Sequence, residues 1–364
     1  MFEVLDHFSP KWAELVKKYK LDVYFAPQYC RIWEKYGDGK AKLFFYESNY
    51  GVVLYPFLIR KINNLEFLQG DALINDLYDI TTPYGYGGPI FLKYDKQKLP
   101  LFIKKFRLEF AKYAREKRII SEFIRFHPVY ENYRPFLNSD IKCKFVRNTV
   151  TMNLTLKPEE ILMAMKTTTR NEVRQAVKNG INVVFKDKPT SKDIKIFYEI
   201  YLETMNRLES SNYYKFSFDF FLNTFNLLEE KAELVFVYKN DNLLSSAIFL
   251  LSDNISHYHL SGSLHQYLPL RPNNIMLYQA ALRYKLMEKK YLHLGGGYKG
   301  NDSLFSFKKG FNKNGLLDFY IGSKVFDEKA YNAIVRKWKE KNHLGKNFQS
   351  DFFPLYRLNI EGDE

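Results

Sequence analysis

Three consecutive glycines, Gly295 to Gly297, follow the strand-like run Tyr291 to Leu294 and precede a helix start at Asp302-Ser303. Backbone without side chains lets a ligand approach closely, and an Asp-Ser pair caps the amides of a first helical turn. The helix that follows carries Lys308 and Lys309 beside Phe305, Phe307 and Phe311. A glycine loop, a helix N-terminus and a lysine among aromatic rings together make a place to hold a polar reacting group in a partly dry cleft. The same residues also fit a tight turn ahead of an amphipathic surface helix.

A chain of 364 residues, 46% of them hydrophobic, is too long for one ordinary core and predicts two domains. The 28 Tyr and 32 Phe supply large cores and also rings that stack on sugars or bases. The formal charge of +14 favours acidic partners: a nucleic acid, a nucleotide-activated sugar, a phospholipid surface or a pyrophosphate-linked lipid. Only Cys30 and Cys143 are present, in no metal-ligand context, which fits a reducing cytoplasm and excludes a disulfide framework. The first residues show no apolar signal core, and the run Leu243 to Leu251 is too short to cross a bilayer. These features predict a cytoplasmic protein, with peripheral contact to an anionic membrane left open.

Along the chain, helices are expected at Pro10 to Tyr19 and Pro27 to Tyr36, then a hairpin of Leu43 to Tyr46 with Val52 to Lys61. The loop TTPYGYGGPIF at Thr81 to Phe91 precedes a long helix, Lys96 to Lys117, and a strand, Ser121 to Phe126. After the strand Phe145 to Leu156, a helix starts at Pro158, is interrupted at Thr167 to Thr169, and resumes over Arg170 to Asn179 with Arg170, Arg174 and Lys178 on one stripe. Ile181 to Phe185 reads as a strand, and serine-capped helices follow at Ser191 to Leu208 and Ser217 to Glu229. Ala232 to Tyr238, Leu243 to Leu251 and Ile255 to Leu260 read as an antiparallel meander, followed by a helix, Asn274 to Lys289. A strand, Leu316 to Ile321, and a lysine-rich helix, Lys324 to Lys341, end the pattern. Both halves repeat a hairpin or meander, a glycine loop, a helix and a strand.

In this order the chain resembles the FemABX-like family, the peptidoglycan bridge-forming aminoacyltransferases and their GNAT-like relatives. The motifs are PYGYGGP at Pro83 to Pro89, RNEVRQAVKNG at Arg170 to Gly180, YHLSGS at Tyr258 to Ser263, and LGGG followed by FKKGF within Leu294 to Phe311. The resemblance implies an α/β (α+β) fold of tandem GNAT-like domains, each a mixed, mostly antiparallel sheet flanked by helices. Residues 1–150 would form a degenerate N-terminal domain and 151–364 the catalytic one. The helices Ser191 to Leu208 and Ser217 to Glu229 are too short for the coiled-coil arm of some members. CoA-dependent GNAT proteins place glycine-rich amides on the cofactor pyrophosphate, whereas Tyr267 to Asn274 here reads YLPLRPNN.

The resemblance further implies transfer of an acyl or aminoacyl group to an amine of a nucleotide- or lipid-linked peptidoglycan or surface-glycan precursor. No tightly bound cofactor and no metal are expected, with aminoacyl-tRNA or acyl-CoA as co-substrate, tRNA as a candidate partner and DNA excluded. Lys308, the lysine of the Phe-Lys pattern, is the candidate catalytic cation, with Phe307 beside it. Arg207 and Tyr258 are candidates for an acceptor's phosphate or sugar, Tyr84 and Tyr86 for the lining of a cleft between domains, and Gly296 and Gly297 for backbone contact with substrate. His257, His259 and His293 are candidate proton acceptors, or hydrogen-bonded core residues. The competing readings are a CoA-dependent N-acyltransferase of a nucleotide-linked amino sugar and a non-catalytic, basic nucleic-acid or envelope-binding protein.

Overall fold

A computed structural model of the chain describes residues 1–69, 76–298, 300, 302–345 and 347–360. In chain order the elements are β1 (Phe2–Asp6), α1 (Pro10–Lys18), α2 (Pro27–Tyr36), β2 (Lys40–Ser48), β3 (Gly51–Lys61), β4 (Tyr78–Thr81), β5 (Ile90–Leu92), α3 (Leu99–Glu116) and β6 (Ile119–Arg125). Next come β7 (Lys142–Asn153), α4 (Pro158–Ala164), α5 (Thr167–Lys178), β8 (Ile181–Lys186), α6 (Ser191–Arg207), α7 (Phe218–Leu228), β9 (Ala232–Lys239) and β10 (Asn242–Leu251). The last are β11 (Ile255–Ser263), α8 (Pro272–Leu286), β12 (Tyr291–Gly295), α9 (Ser303–Lys309), β13 (Leu316–Val325) and α10 (Glu328–Lys341).

Local signals explain many of these boundaries. Pro27 opens α2 without forfeiting a helical bond, and Gly37, at φ 106°, closes it by donating its amide to the Trp33 and Glu34 carbonyls. A reciprocal box between Thr190 and Asp193 starts α6. The break expected at Thr167 to Thr169 falls earlier. Met165 and Lys166 are extended, and α5 already begins at Thr167.

The chain forms two compact units. The first comprises Met1–Leu15, Tyr24–Val146 and Phe319–Glu364, and the second Val16–Val23 and Arg147–Asp318. The expected division near residue 150 lies close to this boundary, but residues 319–364, expected in the second domain, belong to the first. Three contacts hold them there. Ile321 to Val325 of β13 pair antiparallel with Ser121 to Arg125 of β6. Ile334 and Trp338 of α10 are buried with Ile62, Leu68 and Ile120. The buried Asp79 carboxylate accepts from Tyr356 at 3.0 Å and from Arg357 at 2.6 Å.

Within the first unit the strand order is β1-β2-β3-β4-β6-β13, and within the second β8-β9-β10-β11-β12-β7. The pairing sense is the same in both. The first four strands form an antiparallel meander, the fourth and fifth are parallel, and the sixth returns antiparallel. A parallel pair needs a crossover, supplied by α3 in the first unit and α8 in the second. Each unit is thus a mixed, mostly antiparallel sheet flanked by helices, and the repeated theme read in the sequence is a repeated topology. Phe102, Phe106 and Phe110 of α3 cover the first sheet, and Ile275, Leu277 and Ala281 of α8 belong to the core of the second.

Candidate active site

In the second unit the parallel ladder between β11 and β12 joins Ile255 to Tyr291, Ser256 to Leu292 and His257 to His293, and stops there. Beyond it β11 runs on to Ser263 paired with β10, and β12 reaches Gly295 paired with β7. The cause lies in the register of β10 and β11. Ile248 faces Leu260 but Phe249 faces Tyr258, so His259 is one residue in excess. A bulge of this kind bends its strand. The C-terminal ends of two adjacent strands therefore part beyond His257 and His293.

The glycine loop leaves from this point. Gly295 adopts φ 74°, a left-handed conformation that glycine takes without strain. A Cβ on Gly297 would be driven into the Asp302 carboxylate. That carboxylate caps α9 by accepting from the Phe305 amide at 2.8 Å, and it also accepts from the Tyr298 amide.

Lys308, in the last turn of α9, folds back toward the loop and is 8% exposed. Its Nζ donates to the Gly296 carbonyl at 2.8 Å and stands 5.9 Å from the centroid of the Tyr258 ring. Burial lowers its pKa to about 8, with Asp302 opposing the shift and Arg147 adding to it. The Tyr258 hydroxyl donates to Ser261 Oγ at 2.7 Å, and burial pushes its pKa up to about 12. At neutral pH the pair is thus an ammonium beside a neutral phenol. An ammonium has three donors, and the Gly296 bond accounts for one of them.

Lys308, Gly296, Gly297 and Tyr258 therefore converge. Arg207 lies elsewhere: its guanidinium donates to the Ser263 carbonyl at 3.0 Å, and Thr204 Oγ1 accepts from the Ser263 amide, which ties α6 to the end of β11. Phe307 packs on the core of the unit with its ring 5.3 Å from that of Phe311. Tyr84 and Tyr86 belong to the first unit. The Tyr84 ring lies 5.2 Å from Trp33, and Tyr86 meets Tyr24 and Phe319 edge-on, each at 5.4 Å.

His257 and His293 are core residues, as one of the two readings held. His257 Nε2 lies 2.8 Å from the buried Asp22 carboxylate, and its Nδ1 lies 3.3 Å from His293 Nδ1. Burial lowers His259 to about 3, with His257 adding to the shift, so its imidazole is neutral at physiological pH. Arg147, which no motif marks out within β7, donates to the Gly297 and Tyr298 carbonyls.

The segment between β11 and α8 is a poor cradle for a pyrophosphate. Pro269 and Pro272 have no amide hydrogen, and the amides of Tyr267, Arg271 and Asn274 bond to Leu264, Leu268 and Arg271 within the segment. Asn274 Nδ2 donates to Glu172 on α5.

Residues 164–309, from the end of α4 to the end of α9, match the acetyltransferase (GNAT) domain family. No curated protein matches the sequence. Among solved structures, FemX superposes with a TM-score of 0.66 at 14% identity, over 92% of this chain and 99% of FemX. The C-terminal domain of an Agrobacterium fabrum protein assigned as a lysylphosphatidylglycerol synthetase gives 0.54 at 10% identity, over 89% of this chain and 94% of that domain. A conserved protein of unknown function from Bacteroides thetaiotaomicron gives 0.55 at 9% identity, over 89% of this chain and 100% of its own. Residues 164–309 thus form a GNAT acetyltransferase domain, and the chain has the FemX-like fold that its motifs imply.

Proposed function

We propose that this acyltransferase carries an acyl or aminoacyl group to an amine of a peptidoglycan or surface-glycan precursor, with Lys308 as the cation that stabilises the transition state. The observation that carries the reading is the buried Lys308 ammonium, held on the Gly296 carbonyl where β11 and β12 part. The acceptor nitrogen attacks the acyl carbon, a C–N bond forms, and the carbonyl electron pair moves onto oxygen. A fixed cation in a desolvated site lowers the energy of that oxyanion. The tetrahedral centre collapses with loss of the ester oxygen or thiolate, and the amine proton leaves with it.

Aminoacyl-tRNA is the preferred donor. Between β11 and α8 the amides of Tyr267, Arg271 and Asn274 are already bonded and Pro269 and Pro272 have none, which disfavours CoA, and the formal charge of +14 suits a polyanionic carrier. Among the described residues no helix is long and apolar enough to cross a membrane. We place the reaction in the cytoplasm, on a nucleotide- or lipid-linked acceptor. The test is acyl transfer to a panel of nucleotide-linked amino sugars and muropeptides, supplied in parallel with charged tRNA and with acyl-CoA. Transfer from tRNA alone is the expected result. Transfer from CoA alone would make the chain a glycan N-acyltransferase and overturn the donor assignment.

A further inference from the structure

We propose that Arg147 is a positioning residue of this site: by holding the Gly297 and Tyr298 carbonyls it fixes the Gly296 carbonyl that aims the Lys308 ammonium. Arg147 lies in β7, on the strand next to β12, and is separated by 150 residues from Gly297. Its Nη1 donates to both carbonyls, to Tyr298 at 2.7 Å. Charge-assisted bonds of this kind are among the stronger ones available to a loop. The side chain also fills the space beside Gly296, where an added Cβ would lie 3.0 Å from Arg147 Cδ and 2.9 Å from the Asn148 carbonyl. Its Nε is buried with no acceptor among the described residues, so the loop carbonyls offset part of the cost of desolvating this cation.

The arrangement makes one residue responsible for two properties of Lys308. The first is direction, because Gly296 directly precedes the two residues whose carbonyls are clamped, so its own carbonyl has little freedom to turn. The second is charge. The groups that face the ammonium are Asp302 at the cap of α9, Tyr258 from β11 and Arg147 from β7. Tyr258 is neutral, Asp302 favours the ammonium, and Arg147 disfavours it. Removing Arg147 must therefore raise the pH at which Lys308 loses its proton.

The inference rests on Lys308 being the cation of the proposed transfer, but its test does not need the substrate. The full-length protein, as wild type, Arg147→Gln and Arg147→Lys, is labelled with acetic anhydride across a pH series, and modification of Lys308 is followed by mass spectrometry. Hydrogen exchange of the peptide spanning Gly296 and Tyr298 is measured alongside. Arg147→Gln is expected to move the labelling midpoint upward from about 8 and to speed exchange in the loop by about tenfold. Arg147→Lys keeps the charge but its shorter side chain lacks the Nη1 that reaches both carbonyls, so it is expected to restore the midpoint and leave the loop fast. An unchanged midpoint together with unchanged exchange in a folded Arg147→Gln protein would overturn the proposal. A Lys308→Ala enzyme with full transfer would instead overturn the catalytic reading and leave the labelling result standing.

Discussion

The Lys308 ammonium and the Gly296 carbonyl are 2.8 Å apart, a bond that spans the whole of α9 and closes the glycine loop onto the helix it precedes. A lysine at this point spends one donor on the backbone and keeps the others for a ligand. Burial alone would drive it toward the neutral form. With a pKa of about 8 it remains mostly charged at neutral pH.

Lys308→Ala is expected to lower kcat by roughly 10²–10³, the loss seen when one oxyanion donor is removed elsewhere. In the wild type the rate should fall as pH rises through about 8, because the proposed transfer uses the charged form. A pH–rate profile of the purified enzyme checks both statements. A rate that climbs through the same range would mean that the free amine does the work.

Asp302→Asn separates capping from electrostatics. Asparagine can keep the cap to the Phe305 amide but has a single acceptor oxygen and loses the bond from the Tyr298 amide, so stability should fall by only about 1 kcal/mol. The carboxylate that raises the Lys308 pKa is gone, and the alkaline fall in rate should move to lower pH. Asp302→Ala should show the same displacement and lose in addition about 1 kcal/mol of cap energy.

Tyr258→Phe keeps a ring facing the ammonium and removes the hydroxyl that donates to Ser261. Its kcat should stay within about threefold of wild type, because the ring supplies the cation–π contact. Tyr258→Ala loses the ring and should reduce kcat by about tenfold. Equal losses in the two variants would show that the hydroxyl, not the ring face, is what the reaction uses.

Asp79→Asn probes the first unit. The carboxylate is fully buried between Arg60 and Arg357; burial pushes its pKa up, but the two guanidinium groups prevail and hold it below the ordinary carboxylate value. Removing the charge strands two partly buried cations and should cost about 3–5 kcal/mol in urea denaturation at pH 7. Because the folded pKa is depressed, the contribution is complete above the ordinary value and is lost as pH falls through the folded one. The gap between variant and wild type should therefore narrow in acid. Limited proteolysis should also find the end of the chain opened, since Tyr356 and Arg357 both bond to Asp79.

Sequence patterns revealed elements whose causes are local. Pro27 and Gly37 bracket α2, and Asp302 caps α9 where the Asp-Ser pair predicts it. The short strands β1, β4 and β5 escaped notice, because a strand of four residues such as Tyr78–Thr81 has too few alternations to read and owes its form to β3 and β6. The lysine-rich pattern of α10 carries no sign of the anchorage by which Ile334 and Trp338 hold it in a core assembled from distant segments. The site divides in the same way. Lys308 stood out by its aromatic neighbours and its motif, but its burial is set by β11 and β7. Arg147 could not be found from sequence, because the glycine loop it holds is 150 residues away.

The last strand and helix of the chain complete the first unit, while residues 147–318 form the greater part of the second. A ribosome therefore releases nearly all of the second unit before the first can gain β13 and the bonds of Tyr356 and Arg357 to Asp79. The segment carrying Lys308 can collapse onto its own core during synthesis, whereas the first unit must wait with β6 unpaired on one side until Ile321 to Val325 emerge. Truncation at the C-terminus would thus injure the half of the molecule that is made first.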